Sequence, residues 1–335
     1  MLSKKIAIDL GTSTVRVYVK GEGLVISEPA VLATKPGSSR PVAFGNDVPD
    51  AFRRAPESVH LRFPVVEGAI ADLPATEWMI HHVIDKVQGR QRIFKPEVMI
   101  CVPISATSNE RRALTEAAIS AGARQVWLID EPLAAAIGVG LPIAGREASA
   151  ICNVGGGTTE MAVIAESGTV VERSVKGGGN RMDAAVAAYL LRKYSLEVDE
   201  RAAETVKIAV GSAMGMKSPL VTEVTGRDIR SGSPRSVEVL SNDVVEAVGD
   251  SLRLIADAFY ELIQETPPAL AANINQRGVV LCGGAARLRG IDLYITARTG
   301  IPATVAEEPE TSAVRGTSMA LENFEVVKRN QSYAR

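Results

Sequence analysis

The chain has 335 residues, 46% of them hydrophobic, with 37 Lys and Arg against 39 Asp and Glu for a net charge of −2. It is long enough to bury a sizeable core, and its length suggests two domains. The near-balance of charge gives no electrostatic ground for binding nucleic acid. No apolar run reaches the roughly 20 residues of a membrane span, and "MLSKKIAIDLGTS" enters a strand at once, with no signal peptide.

In chain order, strands are expected at 5–9 and 15–20, joined by "LGTST", with a third at 24–26. "VMICVP" (98–103) reads as a buried strand. After it, Thr107 and Glu110 form a capping box for a helix that Gly122 stops. "QVWLID" (125–130) is a further strand, and "EPLAAAIGVG" a helix with Pro132 in its first turn. "ICNVGGGTTEMAVI" (151–164) is strand, glycine turn, strand. Helices follow at 182–194 and 200–210, then a hairpin over 221–241 and a long amphipathic helix at 242–264 ended by Pro267-Pro268. "GVVLCGGAARLRG" (278–290) is a strand, a Gly-Gly turn and a helix start, and the helix at 291–299 closes at Gly300. Strands alternating with helices give an α/β architecture. Cys101, Cys152 and Cys282 each sit in an apolar run, as buried reduced thiols of a cytosolic protein would. His81 and His82 are adjacent and would point in different directions, which argues against zinc.

The stretches 6–20 and 150–164 share one plan of strand, acid or amide, glycine, hydroxyl, strand, which suggests two related domains with a phosphate-gripping hairpin each. Glycines allow close approach, successive backbone N–H groups can form an anion nest, and Thr12, Ser13, Thr158 and Thr159 add hydroxyls. Asp9, at the end of the first strand, can hold Mg2+ through its waters. Two ordinary glycine-containing hairpins are the competing explanation. "LCGGAARLRG" adds a third turn suited to close approach, while neither a Walker A loop nor a Rossmann fingerprint is present.

"IDLGT", "VPISATSNERRALTEAAISAGA", "LIDEPLAAAIGVGLPI", "VGGGTTEMAVI", "ETVKIAVGSA" and "VVLCGGAARLRGID…TGIPATVAEEPET" resemble, in that order and from about residue 3 to 322, the MreB family of bacterial actin homologues. The resemblance implies an actin-like fold, two lobes each with a large and a small subdomain around a cleft that holds ATP and Mg2+. The lobes would divide as 1–32, 67–144 and 312–335 (large) with 33–66 (small), and 145–180 and 246–311 (large) with 181–245 (small). On that pattern Asp9, Gly11, Thr12, Ser13 and Thr14 form the first phosphate hairpin, and Asn153, Gly155, Gly156, Gly157, Thr158 and Thr159 the second. Glu204, Thr205, Val206 and Lys207 would reach the ribose and adenine, although a solvated helix pair also explains Glu204 and Lys207. Gly283, Gly284, Ala285, Ala286 and Arg287 would cover the base and sugar. Glu131 falls where the family orients the attacking water; stabilisation of an acid at a helix N-terminus accounts for it as well.

The implied function is an ATP-binding cytoskeletal protein that forms homopolymer filaments at the inner membrane surface and helps determine cell shape with cell-wall elongation proteins. A chaperone-type ATPase and a small-molecule kinase of the same superfamily are the alternatives, but no peptide-binding domain or substrate-side catalytic aspartate is found. The departures bear on rate. The family's second hairpin begins with aspartate, and here it is Asn153; Asn180 also replaces an aspartate. Where the first hairpin of the family reads "GTANTLV", this chain has Ser13, Thr14, Val15 and Arg16, the last either facing solvent or pointing into the phosphate site. These changes imply slowed hydrolysis. Finally, "GRQRIFKPE" (89–97) presents Ile93 and Phe94 among Arg90, Arg92 and Lys95, a loop read as inserting into anionic membrane; packing beneath the loop is the alternative.

Overall fold

The computed structural model describes residues 3–54, 56–89 and 94–323. The chain forms two compact units, Met1–Arg146 with Ile164–Val170 and Thr311–Arg335, and Glu147–Val163 with Val171–Glu310.

The first unit is built on β1 (Lys5–Leu10), β2 (Thr14–Val19), β3 (Gly23–Pro29), β4 (Glu97–Val102) and β5 (Gln125–Asp130), in the spatial order β5-β4-β1-β2-β3. β1 and β4 read KIAIDL and EVMICV, near-continuous apolar runs that pair in parallel and are buried on both faces. β2, TVRVYV, alternates buried with half-buried residues, as a strand with one wet face does. Helix α1 (Leu73–Gln88) starts at Asp72, whose carboxylate accepts from Ala75 N–H and binds Arg62 with both oxygens. α2 (Ser108–Ser120) opens on the expected capping box: Thr107 Oγ1 accepts from Glu110 N–H at 3.3 Å, and the Glu110 carboxylate accepts from Thr107 N–H at 2.8 Å. Ile6, Ile8, Val98 and Ile100 pack against Met79, Ile80, Val83 and Ile84 of α1 and Leu114 of α2. Each such burial contributes about 1.5–3 kcal/mol.

α3 (Glu131–Gly138) follows β5 with no intervening loop, so Glu131 sits at its N-terminal end. The helix Ser312–Glu322 crosses it at two glycines. A Cβ on Gly316 would lie 1.7 Å from Ala134 O, and one on Gly138 would lie 1.9 Å from Ser312 O. Only glycine permits that approach, which fixes α3 and therefore Glu131.

The second unit repeats the plan. β6 (Ser149–Val154), β7 (Thr159–Ala165), β8 (Gly168–Val175), β9 (Val279–Cys282) and β10 (Ala303–Val305) lie in the order β8-β7-β6-β9-β10. In both sheets three consecutive strands are neighbours, and two later strands add in parallel beyond the first of them. The likeness read between 6–20 and 150–164 thus extends to two complete five-stranded sheets. α4 (Gly179–Tyr194) and α6 (Ser241–Glu265) share a core with the second sheet through Met182, Val186, Val248, Leu252 and Phe259, and α5 (Glu200–Val210) packs against α4.

Two differences from the sequence reading have simple causes. α4 begins three residues before the apolar periodicity, at Gly179, inside a glycine run that gives no helix signal. Pro267-Pro268 ends α6 but also starts a helix, Pro268–Arg277, because proline's missing N–H costs nothing in a first turn. Cys101, Cys152 and Cys282 are buried free thiols, and burial pushes Cys152 up to about 12. Among the described residues no helix is long and apolar enough to cross a membrane.

Candidate nucleotide site

The same turn closes the β1–β2 and β6–β7 hairpins. Gly11 N–H donates to Thr14 O at 3.1 Å, and Gly155 N–H donates to Thr158 O at 2.9 Å. A Cβ on Gly11 would sit 3.1 Å from Thr14 O, and one on Gly155 would sit 3.0 Å from Thr158 O. Both turns are therefore too tight for comfortable side chains at their first position.

The second turn is braced from behind. Gly179 and Asn180, at the start of α4, donate their N–H groups to Gly155 O and Gly156 O, both at 2.9 Å. Gly178 has no room for a side chain, since a Cβ would lie 2.5 Å from Gly155 O. Thr159 donates its hydroxyl to Gly177 O, so this side chain holds the brace rather than offering a donor to a ligand. With the carbonyls turned toward α4, the N–H groups of Gly156, Gly157 and Thr158 have no hydrogen-bond partner among the described residues. Three successive unpartnered N–H groups at a tight turn form a nest suited to an anion.

Other candidates gather at Gly179. A Cβ there would lie 3.3 Å from Lys207 Nζ, 3.6 Å from Ala285 Cβ and 3.8 Å from Gly155 O. Lys207 Nζ donates to Gly179 O at 3.2 Å and pairs with Asp183 at 2.7 Å, with both side chains largely buried. Burial pushes the Asp183 carboxyl up to about 6 although Lys207 opposes it, and Glu204 and Glu200 add to the rise. Gly283 is pressed onto the second hairpin: its N–H donates to Pro309 O at 2.7 Å, and a Cβ would lie 2.3 Å from Val154 O. At Gly284 a Cβ would meet nothing within 4 Å.

Not every candidate gathers there. Val206 is a core residue, Thr205 donates its hydroxyl to Arg201 O, and Glu204 is exposed. Ala286 is buried. Arg287 forms a two-pronged ion pair with Glu310, an engagement between residues 23 apart that the sequence did not disclose.

In the first hairpin Thr12 Oγ1 accepts from Gly68 N–H at 3.2 Å, Ser13 is exposed, and Thr14 opens β2. Asp9 is buried, and Arg16 stands opposite it in the register with Nη1 3.9 Å from Oδ2. Burial raises the Asp9 carboxyl, and Arg16 works against the rise. Arg16 thus lies beside Asp9, with its side chain 18% exposed, so it does not simply face solvent. Glu131 is half-buried behind Asp130, which Arg111 holds at 2.6 Å.

A row of side chains crosses each sheet here. In the first, the register sets Cys101 beside Asp9, Asp9 beside Arg16, and Arg16 beside Ser27. In the second, Cys282 is beside Asn153 and its thiol donates to Asn153 Oδ1 at 3.4 Å. Counting outward from the turn hydrogen bond puts Asn153 opposite Glu160, which accepts from Ser174 at 3.3 Å. Glu160 is fully buried and was not among the sequence candidates. Aligning 6–20 with 150–164 would have found it, since it falls at the place of Arg16.

These residues do not fit a magnesium ion held by carboxylates of the chain. Asn153 carries no charge, the Asp9 charge is offset by a guanidinium, and no group of three His, Cys, Asp or Glu among the described residues could hold a metal. The membrane-loop residues divide: Ile93, Arg90 and Arg92 lie outside the described residues, whereas Phe94 is 63% exposed.

The chain has an actin-like fold. It superposes on the crystal structure of MreB5 of Spiroplasma citri bound to ADP with a TM-score of 0.91 and 30% identity, covering 98% of this chain and 99% of that one. The AMPPNP-bound form of that protein gives a TM-score of 0.89. The MamK double helical filament shares the fold at 19% identity, with a TM-score of 0.80 over 95% of this chain and 99% of that one. The MreB/Mbl protein family matches residues 3–329. The cell shape-determining protein MreB of Escherichia coli (strain K12) is 42% identical over 331 residues, 97% of this chain and 95% of that protein. The chain belongs to the MreB/Mbl family.

Proposed function

We propose that this chain is an ATP-binding cytoskeletal protein that polymerises into filaments at the inner face of the cell membrane, helps determine cell shape, and hydrolyses its nucleotide slowly. The observation that carries the nucleotide reading is the braced second turn, where Gly156, Gly157 and Thr158 present N–H groups with no partner among the described residues. ADP and AMPPNP bound to the Spiroplasma citri relative support it. The Escherichia coli relative's description as cell shape-determining supports the role in cell shape, while the filament and membrane parts rest on the family resemblance and slow hydrolysis on Asn153. The four-part division of the chain belongs to this reading, with 33–66 and 181–245 as the small subdomains and cell-wall elongation proteins as further partners.

On this reading the two hairpins bind phosphate, and Gly284 leaves room for the base and sugar. Lys207, fixed by Asp183, would reach the ribose and adenine. Glu131 would orient the attacking water from the N-terminus of α3. Asn153 keeps the shape and the carbonyl acceptor of an aspartate but lacks its charge, so it cannot take a proton. Magnesium enters only as the counter-ion that the polyphosphate brings with it.

Pelleting and electron microscopy of the purified chain with ATP, with and without anionic vesicles, test this reading. Polymer formed with nucleotide or lipid is the expected result. A chain that stays monomeric by light scattering under every condition overturns the filament reading. Phosphoryl transfer to a small acceptor without polymer would replace it with a kinase.

A further inference from the structure

The polar rows at the two hairpins share their outer residue types, Cys101 with Cys282 and Ser27 with Ser174, and differ at the two positions between. Arg16 stands where the second row has Glu160, and Asp9 stands where it has Asn153. Directly opposed residues of an antiparallel pair point to the same face, so the Arg16 guanidinium shares a face with Asp9. At 3.9 Å the two groups feel each other's charge but lie beyond hydrogen-bond distance. None of the five N–H donors of Arg16 has a hydrogen-bond acceptor among the described residues, although its side chain is only 18% exposed. A half-buried guanidinium with every donor unspent, level with the residue two before the Gly11 turn, is matched in geometry and charge to phosphate oxygens.

We propose that Arg16 is the resident cation of the first phosphate hairpin, offsetting Asp9 and donating to a nucleotide's phosphates, so that this chain binds ADP and ATP with little dependence on magnesium. The inference rests on the nucleotide reading above and specifies which charge the site uses. A divalent ion ordinarily offsets polyphosphate charge where the protein supplies carboxylates to hold it. Here one of the two equivalent positions is an amide, and the other is an acid already facing a guanidinium.

Calorimetric titration of the full chain with ADP and with ATP, in excess magnesium and in EDTA, tests the proposal. For the unmodified chain the affinity should fall by less than about tenfold when magnesium is removed, where tenfold corresponds to 1.4 kcal/mol. Arg16→Met, which keeps an apolar stem in the strand, should lose about tenfold or more in EDTA and recover most of it in magnesium. Asp9→Asn should bind at least as tightly as the unmodified chain in EDTA, because it leaves the guanidinium to the phosphates. Should Arg16→Met fail to fold with Asp9 buried alone, the neutral double variant Asp9→Asn/Arg16→Met replaces it with the same expectation. Equal loss in EDTA for the unmodified chain and the Arg16 variant overturns the proposal, as does weaker binding by Asp9→Asn in EDTA. No binding of either nucleotide to the unmodified chain, with or without magnesium, would instead remove the nucleotide reading, and the proposal with it.

Discussion

Gly283 and Gly284 are neighbours that should fail in opposite ways when a side chain is added. Gly283 has φ 86° and ψ 161°, a region open essentially to glycine alone, so alanine there costs about 1–3 kcal/mol in backbone strain. The new Cβ would also lie 2.3 Å from Val154 O and 2.6 Å from Asn153 Oδ1. Both atoms belong to β6 at the centre of its sheet, so relief requires the strand or the turn to move. Strain and overlap together place Gly283→Ala at about 3 kcal/mol or more, and at about 2–4 °C per kcal/mol the midpoint of unfolding should fall by roughly 6–12 °C. Gly284 has no neighbour within 4 Å and no positive φ, so Gly284→Val should alter the ligand-free midpoint by no more than about 0.5 kcal/mol equivalent. Its side chain would occupy space assigned to the nucleotide, so affinity for ADP should fall by at least about tenfold. Thermal unfolding followed by circular dichroism, with and without ADP, separates the two effects, and calorimetry gives the affinity. A Gly284→Val protein that binds ADP normally refutes the placement of the nucleotide, and a Gly283→Ala protein of undiminished stability refutes the turn geometry.

Asn153→Asp should speed single-turnover phosphate release by at least about tenfold if an absent carboxylate limits hydrolysis. The buried Glu160 opposite it should cost that variant about 1–3 kcal/mol of stability; an unchanged or slower rate removes the slow-hydrolysis reading. The Asp183 carboxyl is raised to about 6 in the folded chain, so its stabilising contribution is full below its unfolded value of 3.8 and is lost as pH rises through 6. The loss is about 3 kcal/mol, and Asp183→Asn should flatten unfolding free energy against pH between about 4 and 6; a slope equal to that of the unmodified chain contradicts the assignment. Ile93→Ser/Phe94→Ser should abolish co-sedimentation with anionic vesicles while shifting stability by less than about 0.5 kcal/mol, since Phe94 is already 63% exposed. A loss of several kcal/mol would make those side chains core and end the membrane reading.

What could be read from the sequence was what is written within a few residues. The Thr107–Glu110 capping box, the 200–210 helix and the Gly300 stop all depend on local contacts, and the structure shows each of them. The two glycine turns were legible for the same reason, because glycine is required where the backbone doubles back. Features that depend on residues far apart left no local trace. The Gly138–Gly316 crossing joins positions 178 apart, and the Arg287–Glu310 pair takes away a cation that the sequence alone would assign to a ligand. The "KGGGN" run at 176–180 shows how local signals mislead. In the sequence it offers only a replaced acid, Asn180, yet it is the brace that turns the Gly155 and Gly156 carbonyls away and leaves three N–H groups without a partner among the described residues. Glu160 lies between these cases. Within "TTEMAVI" it passes for one polar residue in a buried strand, and only the register of the other repeat, where Arg16 faces Asp9, gives it a place. The duplication therefore carries information that neither half holds alone. Two hairpins of one design have kept their turns and diverged in their charges, so binding should follow from what they share and hydrolysis from where they differ.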